Sequence, residues 1–479
     1  MWAGSALNVE YFVYGAILMG FGFSFWTALS IIVIGNLSFV LLGFASLQGQ
    51  EAGTTAFTIT RASFGVRGAR VMSVFNWLTQ LGFEAEGLIL IVGATIVLWT
   101  MSGLRATSLD KVAFIIVAAA VQAVLPYLGH ATMVKVLRAL IIPFGCIFVV
   151  MAFVAVDHGH GSFPASEFYG GWPVYMAGLA FTIALSGLGW TECGNDYTRY
   201  LPRDAHRGAV VGWIFLATAV PEILMMTLGA LTFTFLTTGQ QNTIAYGSNP
   251  FSAFQQQTLI PHWLVAVFMV FAIVQLFGIN SLDLYSSGVS LQAMGLRLKR
   301  YQAVVLDSCI AGALTIYATF GSSFFTFMKI FVGVIIVWIS PWFGIFMTDW
   351  VLRKFRYNPQ HLQRTGPDSL YFGARGVNWN AIVAFVMGMV VSLMAYSKQN
   401  PPINFPFHWM TPIANLWGSS CSGPLVHGQC TAGWYGGADF SVYLGIGVAS
   451  GLYALLELAT GYVKKQVATQ KELEPELYS

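Results

Sequence analysis

The chain has 479 residues, 56% of them hydrophobic and 9% charged, with a formal net charge of +3 and a mean hydropathy of +0.67. Soluble domains carry about 25% charged residues, so this composition excludes an ordinary soluble enzyme or binding module. Repeated apolar runs of about twenty residues read instead as membrane spans, and the expected fold class is an all-α polytopic membrane protein.

Twelve spans are predicted, at 2–19, 24–46, 71–100, 112–130, 136–156, 172–195, 208–236, 262–285, 303–320, 323–350, 377–396 and 440–462. With the N-terminus placed in the cytoplasm, nineteen of the 23 lysines and arginines fall on the inner side. Arg105, Lys111 and Lys398 lie outside and Lys329 lies within a span. This is the positive-inside pattern, and it predicts a multi-pass protein of the cell membrane with both termini cytoplasmic. The basic clusters are topology signals, and nucleic acid is not an expected partner.

The first span begins almost at Met1 without a basic leader or a small-residue cleavage site, so it reads as a span and not as a signal peptide. Its abrupt start suggests that the native start lies upstream. It carries Asn8 and Glu10 and is expected to break at Tyr14-Gly15. The stretch from Thr58 to Arg70 reads as an inner loop. Span three then runs Gln80-Leu81-Gly82-Phe83-Glu84-Ala85-Glu86-Gly87. Glu84 and Glu86 are two apart, about 200° round a helix, so only one of them can face a given cavity. An acid at mid-bilayer costs roughly 2.5–3.5 kcal/mol on insertion scales and is a functional candidate by default. Spans four and five, with Pro126 and Pro143, read as scaffold.

Span six starts as an apolar helix and then runs Leu185-Ser186-Gly187-Leu188-Gly189-Trp190-Thr191-Glu192-Cys193-Gly194-Asn195-Asp196. Three glycines and two acids inside a span point to non-helical backbone lining a polar site, the alternative being a tight helix crossing. Paired interruptions at matching places in two halves are the sequence pointer to a transporter's substrate site, here spans one and six of two five-span repeats. In span seven, Glu222 after Pro221 reads as structural. In span eight, Asn280 and Asp283 are three apart and share a face, which suggests a solute or proton contact. Lys329 is a candidate countercharge for a buried acid.

The expected domains are a first repeat over 1–160, a second over 161–352, a cytoplasmic loop over 353–376, spans eleven and twelve with a long outside loop (397–438) over 377–463, and a solvated tail over 464–479. Cys421 and Cys430 share that outside loop, where oxidising conditions favour a disulfide. Cys146, Cys193 and Cys309 read as small apolar residues. His158 and His160 have no partners in the pattern that would make a zinc site. No metal and no cofactor are expected.

Several runs together resemble the nucleobase:cation symporter-1 family, and its cytosine and purine permeases most closely. They are Trp2 with Asn8, Ala62-Ser63-Phe64-Gly65, Gln80-Leu81-Gly82-Phe83, Gly189-Trp190, Asn195-Asp196-Tyr197-Thr198-Arg199-Tyr200-Leu201-Pro202 and Asp283-Leu284-Tyr285-Ser286-Ser287-Gly288. The resemblance covers spans one to ten. It implies a leucine-transporter-like fold, two inverted five-helix repeats plus two extra helices, with a flat heterocycle held between spans one, three, six and eight. On matching positions it places Phe83 and Trp190 on the ring faces and Asp283 at the ring edge. The chain departs from the family at Phe83, where tryptophan is usual, at Gly87, where a polar side chain is usual, and at Asp283, which replaces an amide. Gly278 and Ile279 stand where some members have sodium-binding hydroxyls.

The resulting expectation is a secondary transporter importing cytosine or a purine base with a proton. The alternative is a hydantoin, allantoin or vitamin-precursor symporter, sodium-coupled in one version. The expected substrate contacts are Phe83, Trp190, Asp283, Asn280, Gly189 and Asn8, and cation coupling is placed on Glu84, Glu192 and Asp283. The partners are a small heterocycle and the bilayer, with no obligate protein partner. No nucleophile with a base and no ligand set for a metal supports an enzyme.

Overall fold

The computed structural model describes residues 1–158, 171–237, 239–241, 244, 249–253, 260–321, 324–396, 425–426, 429–430 and 438–473. These are helical apart from loops and a two-residue β ladder, Leu425–Val426 with Gln429–Cys430. Among the described residues nine helices are long and apolar enough to cross a membrane, and three shorter apolar helices, Val9–Met19, Gly171–Leu185 and Trp379–Met394, bring the spans to twelve.

Span one is broken, but not where expected. Trp2–Ala6 and Val9–Met19 are separate helices, and the chain opens at Leu7-Asn8. Asn8 adopts extended backbone (φ −128°, ψ 142°), and its side chain caps the second helix by accepting from the Glu10 N–H, satisfying one of the donors that a helix start leaves free. The Val9 N–H, freed by the same break, donates to Gln275 Oε1 of span eight at 3.1 Å. Tyr14-Gly15 lies inside an unbroken helix. Gly15 serves a crossing: a Cβ there would stand 1.9 Å from the Met226 carbonyl oxygen of span seven.

Span six does break where expected. The helix Gly171–Leu185 ends, residues 186–193 form turns, and a short helix Gly194–Thr198 follows. The crossing also exists, because a Cβ on Gly187 would fall 2.1 Å from the Ser38 carbonyl carbon of span two. Span one (Val9–Met19) leans on span seven (Arg207–Thr234), while span six leans on span two (Phe25–Ala52), and spans three (Arg61–Met101) and eight (His262–Ala293) lie together. Each broken helix thus packs on the second helix of the other half, the exchange that inverted five-helix repeats produce.

Other expectations need correction. The stretch 58–70 is helical, not a loop: span three starts at Arg61 and kinks at Gly65 (φ 79°, ψ 165°). The backbone groups freed there are taken up by the segment before span eleven, the Phe64 carbonyl accepting the Asn378 N–H at 2.9 Å and the Arg67 N–H donating to Gly376 at 2.7 Å. Spans four (108–128) and five (His130–His158) are joined by Gly129 alone, at φ 104°. The tail opens as a helix, Tyr462–Leu473, that docks through Gln466 instead of standing in solvent. The Lys329 side chain, His160 and Cys421 lie outside the described residues, and with them the expected disulfide.

Candidate functional site

The breaks in spans one and six and the middles of spans three and eight enclose one cavity. It is lined by Glu10, Tyr11, Tyr14, Gln80, Phe83, Leu185, Gly189, Trp190, Glu192, Cys193, Ile279 and Asp283. Of the residues expected from the sequence, Phe83, Gly189, Trp190, Glu192 and Asp283 are brought together here. Only about 20 Å³ of the cavity admits a water centre, the room of roughly one water, so a ring enters only if lining side chains move. The two aromatics have such freedom because neither is fully enclosed. Phe83 meets Phe331 of span ten edge-on, with ring centroids 4.9 Å apart. Trp190 donates its Nε1–H to Tyr11 Oη at 2.8 Å and takes the edge of Trp2 at 5.7 Å.

Gln80 and Glu192 supply the polar edge. The Gln80 Nε2–H donates to Glu192 Oε1 at 2.8 Å, while Gln80 Oε1 and Glu192 Oε2 are buried without partners. Two open acceptor oxygens beside two aromatic faces suit a flat ring with adjacent donors, and, with a proton on Glu192 Oε2, a ring with a donor and an acceptor side by side. Tyr11 and Tyr14 add hydroxyls, and among the described residues no lysine or arginine lines the cavity.

Two expected contacts are placed elsewhere. The Asn280 Nδ2–H groups donate to Gln122 Oε1 at 3.0 Å and to the Glu84 carbonyl at 3.2 Å, tying span eight to spans three and four. A Cβ on Gly87 would collide with Asn280 Oδ1 at 1.9 Å, so the departure at Gly87 makes room for this amide. Asn8 caps span one and holds Glu10, its Nδ2–H reaching Glu10 Oε2 at 3.0 Å. Glu84 is fully buried and does not line the cavity, and its two carboxyl oxygens have no hydrogen-bond partner among the described residues. Glu222 is structural as expected: it accepts the Ser186 hydroxyl and pins the broken part of span six to span seven. The sequence reading missed Gln80, Glu10, Tyr11 and Tyr14 as lining residues. The signal for Glu10 was its place two residues past the true break, which Asn8, a helix-capping residue, marks.

Below the cavity, toward the end that carries the short helices of spans one and six, aromatic and polar contacts close the path. Trp2 meets Tyr197 at 5.5 Å, and Arg199 donates to Tyr285 Oη at 2.7 Å. At the opposite end Phe21 stacks near Phe23 at 6.0 Å and meets Phe181 at 5.6 Å.

Two broken helices meeting at a closed polar cavity inside a bundle of spans define a secondary transporter. Residues 1–417 match the family described as permease for cytosine/purines, uracil, thiamine, allantoin. A putative purine-cytosine permease, YxlA, of Bacillus subtilis (strain 168) is 25% identical, the alignment covering 99% of this chain and 94% of the relative. The purine-cytosine permease FCY2 of Saccharomyces cerevisiae is 23% identical over 48% of this chain and 43% of its own. Among solved structures, Mhp1, a nucleobase-cation-symport-1 family transporter in a closed conformation with bromovinylhydantoin bound, superposes with a TM-score of 0.69 at 18% identity, covering 98% of this chain and 91% of that one. The manganese transporter of Eremococcus coleocola shares the fold at a TM-score of 0.52, with 15% identity over 97% and 94% of the two chains. The chain belongs to the nucleobase:cation symporter-1 family of cytosine/purine-type permeases, and is therefore a membrane transporter and not an enzyme.

Proposed function

We propose that the protein imports a nucleobase, of cytosine or purine type, together with a proton. The observation that carries this reading is the cavity itself: Phe83 and Trp190 offer ring faces, while Gln80, Glu192 and Asp283 offer edge groups, and among the described residues no lysine or arginine lines it. The ring lies between the two aromatics, Asp283 accepts from an exocyclic amine or ring N–H, and the Gln80–Glu192 pair reads the adjoining donor and acceptor. The purine-cytosine permease names of the relatives favour the same substrate class.

The reading of the coupling ion rests on charge. Glu192 and Asp283 line the cavity, Glu84 is buried next to Phe83 in span three, and among the described residues no cation lines it. Buried carboxylates without countercharge cost several kcal/mol each, so these acids are carried neutral while the ring is bound and exchange protons as the cavity opens to water. In this reading both termini lie in the cytoplasm of a cell-membrane protein, which the basic ends of the spans favour, and residues 1–160 and 161–352 are its two repeats. A second reading, a hydantoin, allantoin or vitamin-precursor substrate with a sodium ion in one version, is favoured by the bromovinylhydantoin bound to Mhp1 and by a ring edge of the same donor–acceptor kind.

Thermal stabilisation of the purified protein tests both. Cytosine, uracil, adenine, hypoxanthine, allantoin, hydantoins and vitamin precursors are each added at two pH values, with and without sodium, because a ligand of the folded state raises the melting temperature by mass action. A nucleobase that stabilises without sodium, and more at the lower pH, is the expected result. Stabilisation only by a non-nucleobase ring, or only with sodium, overturns the corresponding part.

A further inference from the structure

At the elbow between span twelve and the final helix lies a groove of about 440 Å³, within the roughly 300–1,000 Å³ that holds a small ligand. Span twelve (Ser441–Thr460) stops at Gly461, φ 63°, and the helix Tyr462–Leu473 starts at the next residue. That helix is anchored by Gln466, which donates to the Leu370 carbonyl at 2.6 Å and accepts from Arg353 at 2.8 Å. The end of span ten (Phe324–Leu352) closes the other side. Leu352, Leu458 and Val467 belong to an apolar floor, and Lys354, Lys464 and Lys471 line the groove with ammonium groups.

The backbone brings the three lysines together. In the final helix Lys464, Val467 and Lys471 recur at three and four residues and so share one face, whereas the exposed Lys465 does not line the groove. Lys464 stands in the first turn of its helix, where the helix dipole disfavours a cation. Lys354 follows the end of span ten at φ 56°, with Phe355 at φ 63°. Its N–H donates to the Val351 carbonyl at 2.9 Å and the Phe355 N–H to that of Trp350 at 2.8 Å, a helix stop whose left-handed position is ordinarily glycine. Neither lysine is thus where helix stability alone would put it. Glu457 is the one acid in the lining among the described residues, and its carboxylate is already engaged. Its Oε1 accepts from Asn378 Nδ2 at 2.7 Å and its Oε2 from the Val463 N–H at 3.2 Å. Beside the groove, Val351, Leu455 and Leu458 are exposed on spans ten and twelve, where a bilayer presents acyl chains.

We propose that this groove is a binding site for an anionic phospholipid. The phosphate pairs with Lys354, Lys464 and Lys471, and the acyl chains start along Leu352, Leu458 and Val467. A free phosphate satisfies only the lysines, and a zwitterionic lipid brings a cation that the lysines repel. An anionic lipid matches both the charge and the apolar floor, and basic pockets between spans are where such headgroups bind. Once occupied, the site bridges span ten, span twelve and the final helix, where Gln466 already ties that helix to Arg353.

The test titrates the full-length protein in detergent with short-chain phosphatidylglycerol, with phosphatidylcholine of the same chains and with inorganic phosphate. Bound lipid is read by native mass spectrometry and by the rise in melting temperature that a ligand of the folded state produces. Phosphatidylglycerol is expected to bind and to stabilise. Lys464→Gln combined with Lys471→Gln is expected to weaken it by roughly tenfold or more. Lys299→Gln combined with Lys465→Gln removes the same charge from exposed positions outside the groove and is expected to stay within about twofold of wild type. As a check that needs no variant, the wild-type lysines are acetylated with and without phosphatidylglycerol and mapped by mass spectrometry. Protection of Lys464 and Lys471 by the lipid, with Lys465 still labelled, supports the site. No binding of phosphatidylglycerol, equal binding of phosphatidylcholine, equal weakening by the two double variants, or displacement of the lipid by inorganic phosphate overturns it. Protection of Lys464 and Lys471 that is the same without lipid also overturns it, because another part of the chain then fills the groove.

Discussion

On the proposed reading Asp283 and the Gln80–Glu192 pair divide the work of recognising a ring edge, and the open oxygens of Gln80 and Glu192 make the division testable. Asp283→Ala removes the only span-eight carboxyl of the cavity and is expected to abolish ring-dependent thermal stabilisation. Glu192→Gln keeps the Gln80 contact while fixing a neutral group in place. It is expected to flatten the pH dependence of ring uptake while exchange continues; equal loss of uptake and exchange sinks the assignment. Replacing Phe83 or Trp190 by alanine removes a stacking face worth about 1–3 kcal/mol per base, a weakening of roughly five- to 150-fold in Kd. Part of this site was legible in the sequence, because an acid inside an apolar run is costly and so is a functional candidate by default, although Glu222 shows that such an acid can also be structural. Gln80 was harder to read as a contact, since an amide in a span is as well explained by a helix-to-helix hydrogen bond. Asn280 shows that bland outcome, its amide spent on Gln122 and the Glu84 carbonyl.

At the scale of elements, the lesson is which glycines mark breaks and which mark crossings. The two kinds look alike in a sequence, and Gly15 was read as the wrong one. Its true role appears only when span seven is laid against it, with Gly229 meeting Phe12 in the same crossing: a Cβ on Gly229 would lie 1.8 Å from the Phe12 carbonyl oxygen. The real break at Leu7-Asn8 carries no glycine, and it is stabilised by a capping side chain and by Gln275 from a span some 266 residues away, a partner no local pattern announces. Gly15→Val and Gly229→Val are each expected to push span one off span seven, with the 1–3 kcal/mol cost typical of overpacking or more. The check is the melting temperature of the ligand-free protein beside that of an exposed-face control such as Leu224→Ala, which is expected to shift it little. If the glycine variants match the control, the crossing is looser than the structure shows.

For the molecule as a whole, charge counting assigns Arg353 to the basic inner side, and the structure gives that arginine a structural task as well. Arg353 was grouped with the cations that orient the chain, yet it is fully buried. Its Nε donates to Asp349 Oδ2 at 2.8 Å, and its Nη2 donates at 2.8 Å to the Ala62 carbonyl of span three and to Gln466 Oε1 of the final helix. Asp349 in turn accepts from Tyr453 of span twelve at 2.7 Å and from Tyr357 at 3.3 Å. One ion pair therefore joins the ends of spans three, ten and twelve to the C-terminal helix, beside the Gly65 kink that the segment before span eleven completes. Apart from Ala62, which shares span three with Gln80 and Phe83, these residues lie far along the chain from the cavity residues, on elements other than spans one and six. Breaking a buried pair from one side costs about 3–5 kcal/mol, because it leaves the other charge uncompensated, whereas replacing both partners together by apolar groups costs far less. Arg353→Met is accordingly expected to lower the melting temperature strongly and Asp349→Leu to do the same. The double variant should recover part of the loss, a non-additive cycle that only a coupled pair produces. Ring affinity measured on the folded fraction should stay within about twofold of wild type in all three. Additive losses would mean that Arg353 and Asp349 act independently, and an affinity that fell with stability would mean that this joint belongs to the moving part of the transporter and not to its frame.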